Sequence, residues 1–234
     1  MKKKIYLSLI LSLLALCSAN AQWRLGVEGG VSLNWHMQDF GYANTMSNKI
    51  LAGGTAMIST QYNFNEWIGL RADLGWAQRN YTLQRTSTYK GDNDASYPCV
   101  YYSKYSRHYI MFPLTLSVSF GSEDVRGYVD IGGFVGGWLG GAMQQSDYYD
   151  GVLDKSSVYE EKYVFNNKRD VRVDAGLVGR IGIVFNVYDN LYMNIEAVDY
   201  WGMVNNHKTG SKYIKQNAYD NTLSFQIGIG YIFN

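Results

Sequence analysis

Proline and cysteine are almost missing from this chain, with 2 of each in 234 residues. Scarce proline leaves long runs of backbone able to donate hydrogen bonds, as strands require. Of the two cysteines, Cys17 lies in a removable leader described below, so Cys99 remains alone and an internal disulfide is excluded. The 3 histidines, His36, His108 and His207, stand far apart and show no metal-ligand spacing with Cys or Asp. A basic excess is also lacking: the formal charge is +1, which gives nucleic acid nothing to bind. Past the leader, no stretch approaches the ~18 consecutive apolar residues of a membrane helix. The nearest, 129–143, begins beside Asp130. The pairs Gly132-Gly133, Gly136-Gly137 and Gly140-Gly141 are followed by no helix pattern, so they read as a glycine-bearing strand and not as a phosphate loop. Nothing points to a cofactor.

What is present begins with the leader. Lys2, Lys3 and Lys4 precede an apolar run over 5–16, and Ala19-Asn20-Ala21 forms a small-x-small site. This predicts a signal peptide over 1–21, cut between Ala21 and Gln22, with one domain over 22–234. A lipoprotein leader needs a small residue before its cysteine, and Leu16 is not small. Cleavage removes three lysines, taking 21 basic residues to 18 against 20 acidic ones, a formal charge of −2.

The rest of the chain alternates. Leu223, Phe225, Ile227, Ile229, Tyr231 and Phe233 occupy every second place, with Thr222, Ser224, Gln226, Gly228 and Gly230 between them. A period of two is a strand with one apolar face. Similar segments over 24–36, 50–62, 67–81, 108–120, 126–143, 171–185 and 191–204 bring the count to eight. Pro113 falls inside one of them and predicts a bulge or irregular pairing. Asp199 interrupts another, predicting a bulge or the membrane rim. The connections alternate without exception between tight turns (63–66, 121–125, 186–190) and long segments (37–49, 82–107, 144–170, 205–220). The fold class predicted is all-β: an eight-stranded antiparallel transmembrane up-and-down barrel with short periplasmic turns and long extracellular loops.

A soluble barrel also alternates, with its apolar face inward. Here the polar faces are mainly Gly, Ser, Thr, Asn and Gln, which suits a crowded lumen better than a solvated wall. Aromatics gather near strand ends. Trp67, Tyr231 and Phe233, with Phe120 and Phe185, are expected in the periplasmic girdle, and Trp35, Trp76, Trp138 and Trp201 in the outer one. Outer-membrane lipids are therefore the expected surroundings, and the cell outer membrane the expected location.

By parity Glu28, Arg71, Asp73, Asp130, Arg180 and Glu196 point into the lumen at similar heights, and Arg172 with Asp174 forms a higher pair. An eight-stranded barrel leaves an interior just wide enough for side chains, so these charges are expected to form a structural network. Four acids against two arginines predict that water reaches the lower belt or that one carboxyl holds its proton.

The leader ending in Ala-Gln and the closing segment Gln226-Ile227-Gly228-Ile229-Gly230-Tyr231-Ile232-Phe233 resemble the PorT-like outer-membrane β-barrel family of Bacteroidota. The resemblance spans the mature chain and implies an eight-stranded outer-membrane barrel. Some members of that family are tied to protein export, and most have no assigned role. It also implies insertion by the barrel-assembly machinery, although Asn234 follows the terminal aromatic Phe233.

A non-catalytic barrel that binds a partner through its extracellular loops, or supports envelope assembly or export, is the expected function. The loops carry Tyr89, Tyr97, Tyr101, Tyr102, Tyr105, Tyr148, Tyr149, Tyr159 and Tyr163, a residue type that gives contact area at low entropic cost. One alternative is a lipid-modifying enzyme of the lipid A deacylase kind, since Ser106 and His108 share a strand face. No acidic partner stands near them, however. Another is a narrow transporter of small apolar molecules. The histidines are expected to be solvated at the outer rim.

Overall fold

In a computed structural model the described residues are 22–38, 40, 45–90, 95–122, 124–208 and 217–233. The proposed leader and Ala21 lie outside them, and Gln22 opens the first strand. Ten strands follow in order: β1 Gln22–Gln38, β2 Met46–Asn63, β3 Ile68–Gln78, β4 Tyr81–Lys90, β5 Ser96–Gly121, β6 Val125–Tyr149, β7 Val152–Lys162, β8 Val173–Tyr188, β9 Leu191–Gly202 and β10 Ala218–Phe233.

These ten make eight barrel positions. β3 and β4 both bridge β2 to β5, one above the other, with only Arg79 and Asn80 between them. β7 pairs with the upper part of β6 and β8 with its lower part. The ring runs β1, β2, β3/β4, β5, β6, β7/β8, β9, β10, all antiparallel. It closes where β1 meets β10, in register from Trp23 opposite Phe233 to Gln38 opposite Ala218. Closure removes the free sheet edge that would leave backbone groups unpaired in hydrocarbon.

Alternation fixes which side chains face out. Val31, Ile58, Ile131, Ile181 and Ile227 are each more than half exposed, and they belong to a continuous apolar wall. Such side chains gain about 1.5–3 kcal/mol each on leaving water, so this wall belongs against acyl chains. The opposite faces fill the lumen in layers. Tyr128, Val184, Tyr192 and Ile232 are packed near the periplasmic end. A belt of charges lies above them. An apolar layer of Met57, Ala77, Tyr109, Met111, Phe134, Trp138, Val178, Val198 and Tyr200 comes next. A second set of charges sits toward the outer mouth.

The segments 82–107 and 144–170, expected as loops, are mostly strand. β5 and β6 run for 26 and 25 residues, far beyond the apolar band, and with β4 and β7 they form a sheet above the mouth. Both of its faces meet water, so no apolar period of two announces it. The β6–β7 turn is Asp150-Gly151, with φ of 49° and 79°, a pair of left-handed residues that matches a tight hairpin's twist. At Pro113 the ladder to β3 lapses between the Ala72–Leu114 and Gly75–Met111 pairs. Asp199, by contrast, keeps register on both sides, so no bulge forms there.

Candidate functional site

The lower belt is one connected network. Arg71 reaches Glu28 at 2.5 Å, Asp73 at 2.9 Å and Glu196 at 3.1 Å. Arg180 contacts Asp73, Asp130 at 2.9 Å and Glu196 at 3.2 Å. All six side chains are buried. Tyr128 donates its hydroxyl to Glu196 at 2.5 Å, and the Asn194 amide donates to Glu28 at 3.3 Å. The residues come from β1, β3, β6, β8 and β9, so the network ties opposite walls together. Directly below lies an enclosed polar cavity of about 10 Å³ beside Arg24, Arg71 and Asn194. That is the space of about one water.

The upper set is arranged differently from the expected Arg172–Asp174 pair. Asp174 is buried and contacts Arg79, whereas Arg172 is exposed and lies 4.3 Å over the Phe165 ring. The correction has a plain cause: β8 begins at Val173, so strand alternation never turns Arg172 inward. Arg79 shares the parity of Arg71 and Asp73 but sits at the break between β3 and β4. Its guanidinium lies 5.4 Å from the Tyr109 ring centre and 5.0 Å from that of Phe134, roofing the apolar layer.

Trp138 is a second correction. It is 7% exposed and points into the lumen, where its indole N–H donates to the Gly140 carbonyl at 2.8 Å. It shares the inward parity of Asp130 and Phe134, and a bulge leaves Leu139 at that level facing out. Of the other girdle residues, Trp67, Trp201, Tyr231 and Phe233 are exposed on the wall, and Trp35 and Trp76 are half-buried near the outer rim.

Nor is His36 a solvated rim residue. It is 2% exposed, its Nδ1 lies 2.6 Å from Asp220, and its ring stacks on Tyr81. Arg107 holds the same carboxylate at 2.6 and 2.7 Å. Over this cluster pass the segments around Asp170 and His207, joined by a backbone bridge. Arg169 pairs with Asp170 at 2.7 Å. Burial, followed by the Asp170 charge, pushes the Tyr163 hydroxyl up to about 12. Burial, and then the neighbouring His36, pulls His207 down to about 4, so its imidazole is neutral at physiological pH.

Ser106 and His108 stay on the outer face of β5. The His108 Nδ1 accepts the Trp76 indole N–H at 3.1 Å, and the two rings stack. That places the proton of a neutral His108 on Nε2 and leaves no acceptor nitrogen for a serine hydroxyl. Among the described residues no cluster of three or more His, Cys, Asp or Glu is placed to hold a metal ion.

Above the mouth, tyrosines organise the β4–β7 sheet. Tyr89 stacks on Tyr97 and meets Tyr149 edge-on, while Tyr81 stacks on Tyr105, which meets Tyr163 edge-on. On the other face Tyr102 meets Tyr148.

A family profile described as outer membrane protein beta-barrel domain matches residues 18–208. No curated protein matches the chain. Among solved structures it is similar to Ail, the attachment invasion locus protein of Yersinia pestis, at 12% identity and TM-score 0.43, covering 90% of this chain and 98% of that one. It is similar to the outer membrane protein OprG of Pseudomonas aeruginosa at 12% identity and TM-score 0.46, covering 90% and 96%. The outer membrane protease OmpT of Escherichia coli matches at 10% identity and TM-score 0.43, covering 92% and 97%.

Proposed function

Because the chain belongs to the outer membrane protein beta-barrel domain family and so resides in the outer membrane, we propose that it is a non-catalytic barrel that binds a protein partner through its extracellular β4–β7 sheet. The observation that carries this reading is a contrast within one molecule. The lumen is packed with interlocked charges and an apolar layer, whereas two strands of 26 and 25 residues are extended into a tyrosine-rich surface outside the membrane. A sheet that stabilises nothing in the bilayer needs another use, and rigid aromatic side chains on a rigid scaffold suit recognition. The Trp76 hydrogen bond to His108 argues for a non-catalytic role, and the filled lumen against transport of small apolar molecules. We read the chain as PorT-like on its closing segment, with residues 1–21 acting as a cleaved signal peptide and the barrel-assembly machinery inserting it. Support of envelope assembly or export fits the same sheet. The test is cross-linking in intact envelopes with the full chain and with a variant whose segment 84–102 is replaced by a two-residue turn. The full chain is expected to capture a discrete partner that the trimmed, folded barrel does not; equal capture by both contradicts the reading.

A further inference from the structure

The apolar layer across the lumen stops short of one wall. Its side chains come from β2, β3, β5, β6, β8 and β9, with none among the described residues of β1 or β10. Above the belt, β10 turns Gln226, Ser224, Thr222 and Asp220 inward, and β1 turns Ser32, Asn34 and His36 inward. All of these are buried. Ser224 and Thr222 stand opposite Val198 and Tyr200 of the layer, so a polar seam passes alongside it. From Gln226 to Asp220 the seam is about 20 Å long, at ~3.4 Å per residue.

Part of the seam is joined by direct hydrogen bonds. The Asn34 amide donates to Ser32 Oγ at 3.1 Å, the Thr222 hydroxyl donates to Asn34 Oδ1 at 2.9 Å, and His36 Nδ1 lies 2.6 Å from Asp220. An independent observation concerns the gaps between them. Among the described residues no partner meets Ser224 Oγ, Thr55 Oγ1, His36 Nε2 or either polar atom of the Gln226 amide, although all are buried. Ser224 lies opposite Ser32, and Thr55 opposite Gly30. Buried polar atoms of this kind are satisfied by water. Opposite residues in a ladder have β-carbons about 5 Å apart, a gap that one water bridges. Both ends of the seam meet polar ground. Gln226 stands opposite Glu196 of the lower belt, and the enclosed cavity beside Arg24 and Asn194 continues below. At the top a concavity of about 430 Å³ is lined by His36, Gln38, Asn48 and Tyr219 among others.

We propose that the β1–β10 seam conducts protons through the barrel while holding back larger ions. Hydroxyls and the waters they hold relay the proton, and the amides of Gln226 and Asn34 orient them. Each relay atom takes a proton on a lone pair and releases another to its neighbour. Only O–H and N–H bonds break and re-form, so one proton enters at one mouth as one leaves at the other. The charge along the seam suits a cation. The belt sets four acids against two arginines, and nearer the mouth Asp220 matches Arg107 and Asp174 matches Arg79. A metal ion or chloride needs continuous width, and eight strands leave an interior filled by side chains.

The test reconstitutes the chain over 22–234 in potassium-loaded vesicles holding a pH-sensitive dye. Valinomycin carries the compensating charge, the external pH is lowered, and the rate of internal acidification is read. Thr222→Val and Gln226→Met interrupt the relay with side chains of similar shape, and Thr115→Val removes an equally buried hydroxyl on β5, away from the seam. Each variant is first shown folded by its heat-dependent gel shift. Wild type is expected to acidify the interior faster than protein-free vesicles do. Thr222→Val and Gln226→Met should each slow the protein-dependent rate about tenfold, the scale of one hydrogen bond to a charged group. Thr115→Val should leave it unchanged, and without valinomycin the vesicles should keep their potassium. A wild-type rate no faster than that of empty vesicles, a rate untouched by a folded Thr222→Val or Gln226→Met variant, equal slowing by Thr115→Val, or potassium leak through wild type would each overturn the proposal.

Discussion

Removing Arg71 and removing one of its acids should have unequal consequences. Among the described residues Arg71 is the only guanidinium that touches Glu28, and it also holds Asp73 and Glu196. Arg71→Gln leaves Glu28 with the weak Asn194 contact at 3.3 Å and leaves Arg180 alone against the belt's other acids. Breaking a buried ion pair from one side costs about 3–5 kcal/mol, a large share of the ~5–15 kcal/mol that holds a typical domain folded. Glu28→Gln has the opposite character. The belt holds Glu28, Asp73, Asp130 and Glu196 against Arg71 and Arg180, so this change removes surplus negative charge. A glutamine carbonyl still accepts from Arg71 and Asn194, so the expected cost is under about 1 kcal/mol. The assay is urea unfolding of each variant in lipid vesicles, followed by tryptophan fluorescence and by the gel shift of the folded barrel. Equal costs for the two variants, or a cost below about 1 kcal/mol for Arg71→Gln, would refute the reasoning from charge balance.

The layered lumen predicts no conductance steps when the chain is added to a planar bilayer, because ions meet the apolar layer of Met57, Met111, Phe134 and Tyr200; stable open levels would contradict it. His207 makes the cap over the mouth sensitive to acid. Its folded pKa of about 4 lies below the ordinary value of 6.5, so the docked cap disfavours the proton. Stability is complete above pH ~6.5 and is lost as pH falls from there toward 4. Hydrogen exchange around residues 203–208 should quicken between pH 7 and 5 after correction for intrinsic rates, and His207→Gln should abolish that dependence. His108→Ala should leave cellular lipid A unchanged by mass spectrometry, and an altered acyl pattern would support the deacylase alternative instead.

The barrel was legible in the sequence because each spanning strand meets lipid on one side and packed lumen on the other. That is why Leu223, Phe225, Ile227 and Ile229 alternate cleanly with polar neighbours, and why parity alone places Glu28, Arg71, Asp73, Asp130, Arg180 and Glu196 at one network. Legibility stops where that two-sided environment stops. In the β4–β7 sheet both faces are wet, so only Asp150-Gly151 between Tyr149 and Val152 signalled a hairpin, and that dipeptide lay inside a segment expected as loop. Trp138 carried inward parity, yet its type pointed to an interface; packing against Tyr163 and Phe165 explains the difference. Arg107, Asp220 and His36 sit where strands leave the apolar band, and the long-range contacts that join them, 113 and 184 residues apart along the chain, leave no local trace.

The most direct measurement compares two tryptophans in vesicles whose acyl chains carry bromine. In variants with five of the 6 tryptophans changed to phenylalanine, the remaining one is either Trp201, which is 56% exposed on the wall, or Trp138, which is 7% exposed in the lumen. Trp201 emission should be strongly quenched by brominated chains and Trp138 emission should match that in ordinary lipid. Equal quenching of the two, or quenching of Trp138 alone, would mean that the apolar wall and the sealed interior have been assigned to the wrong faces.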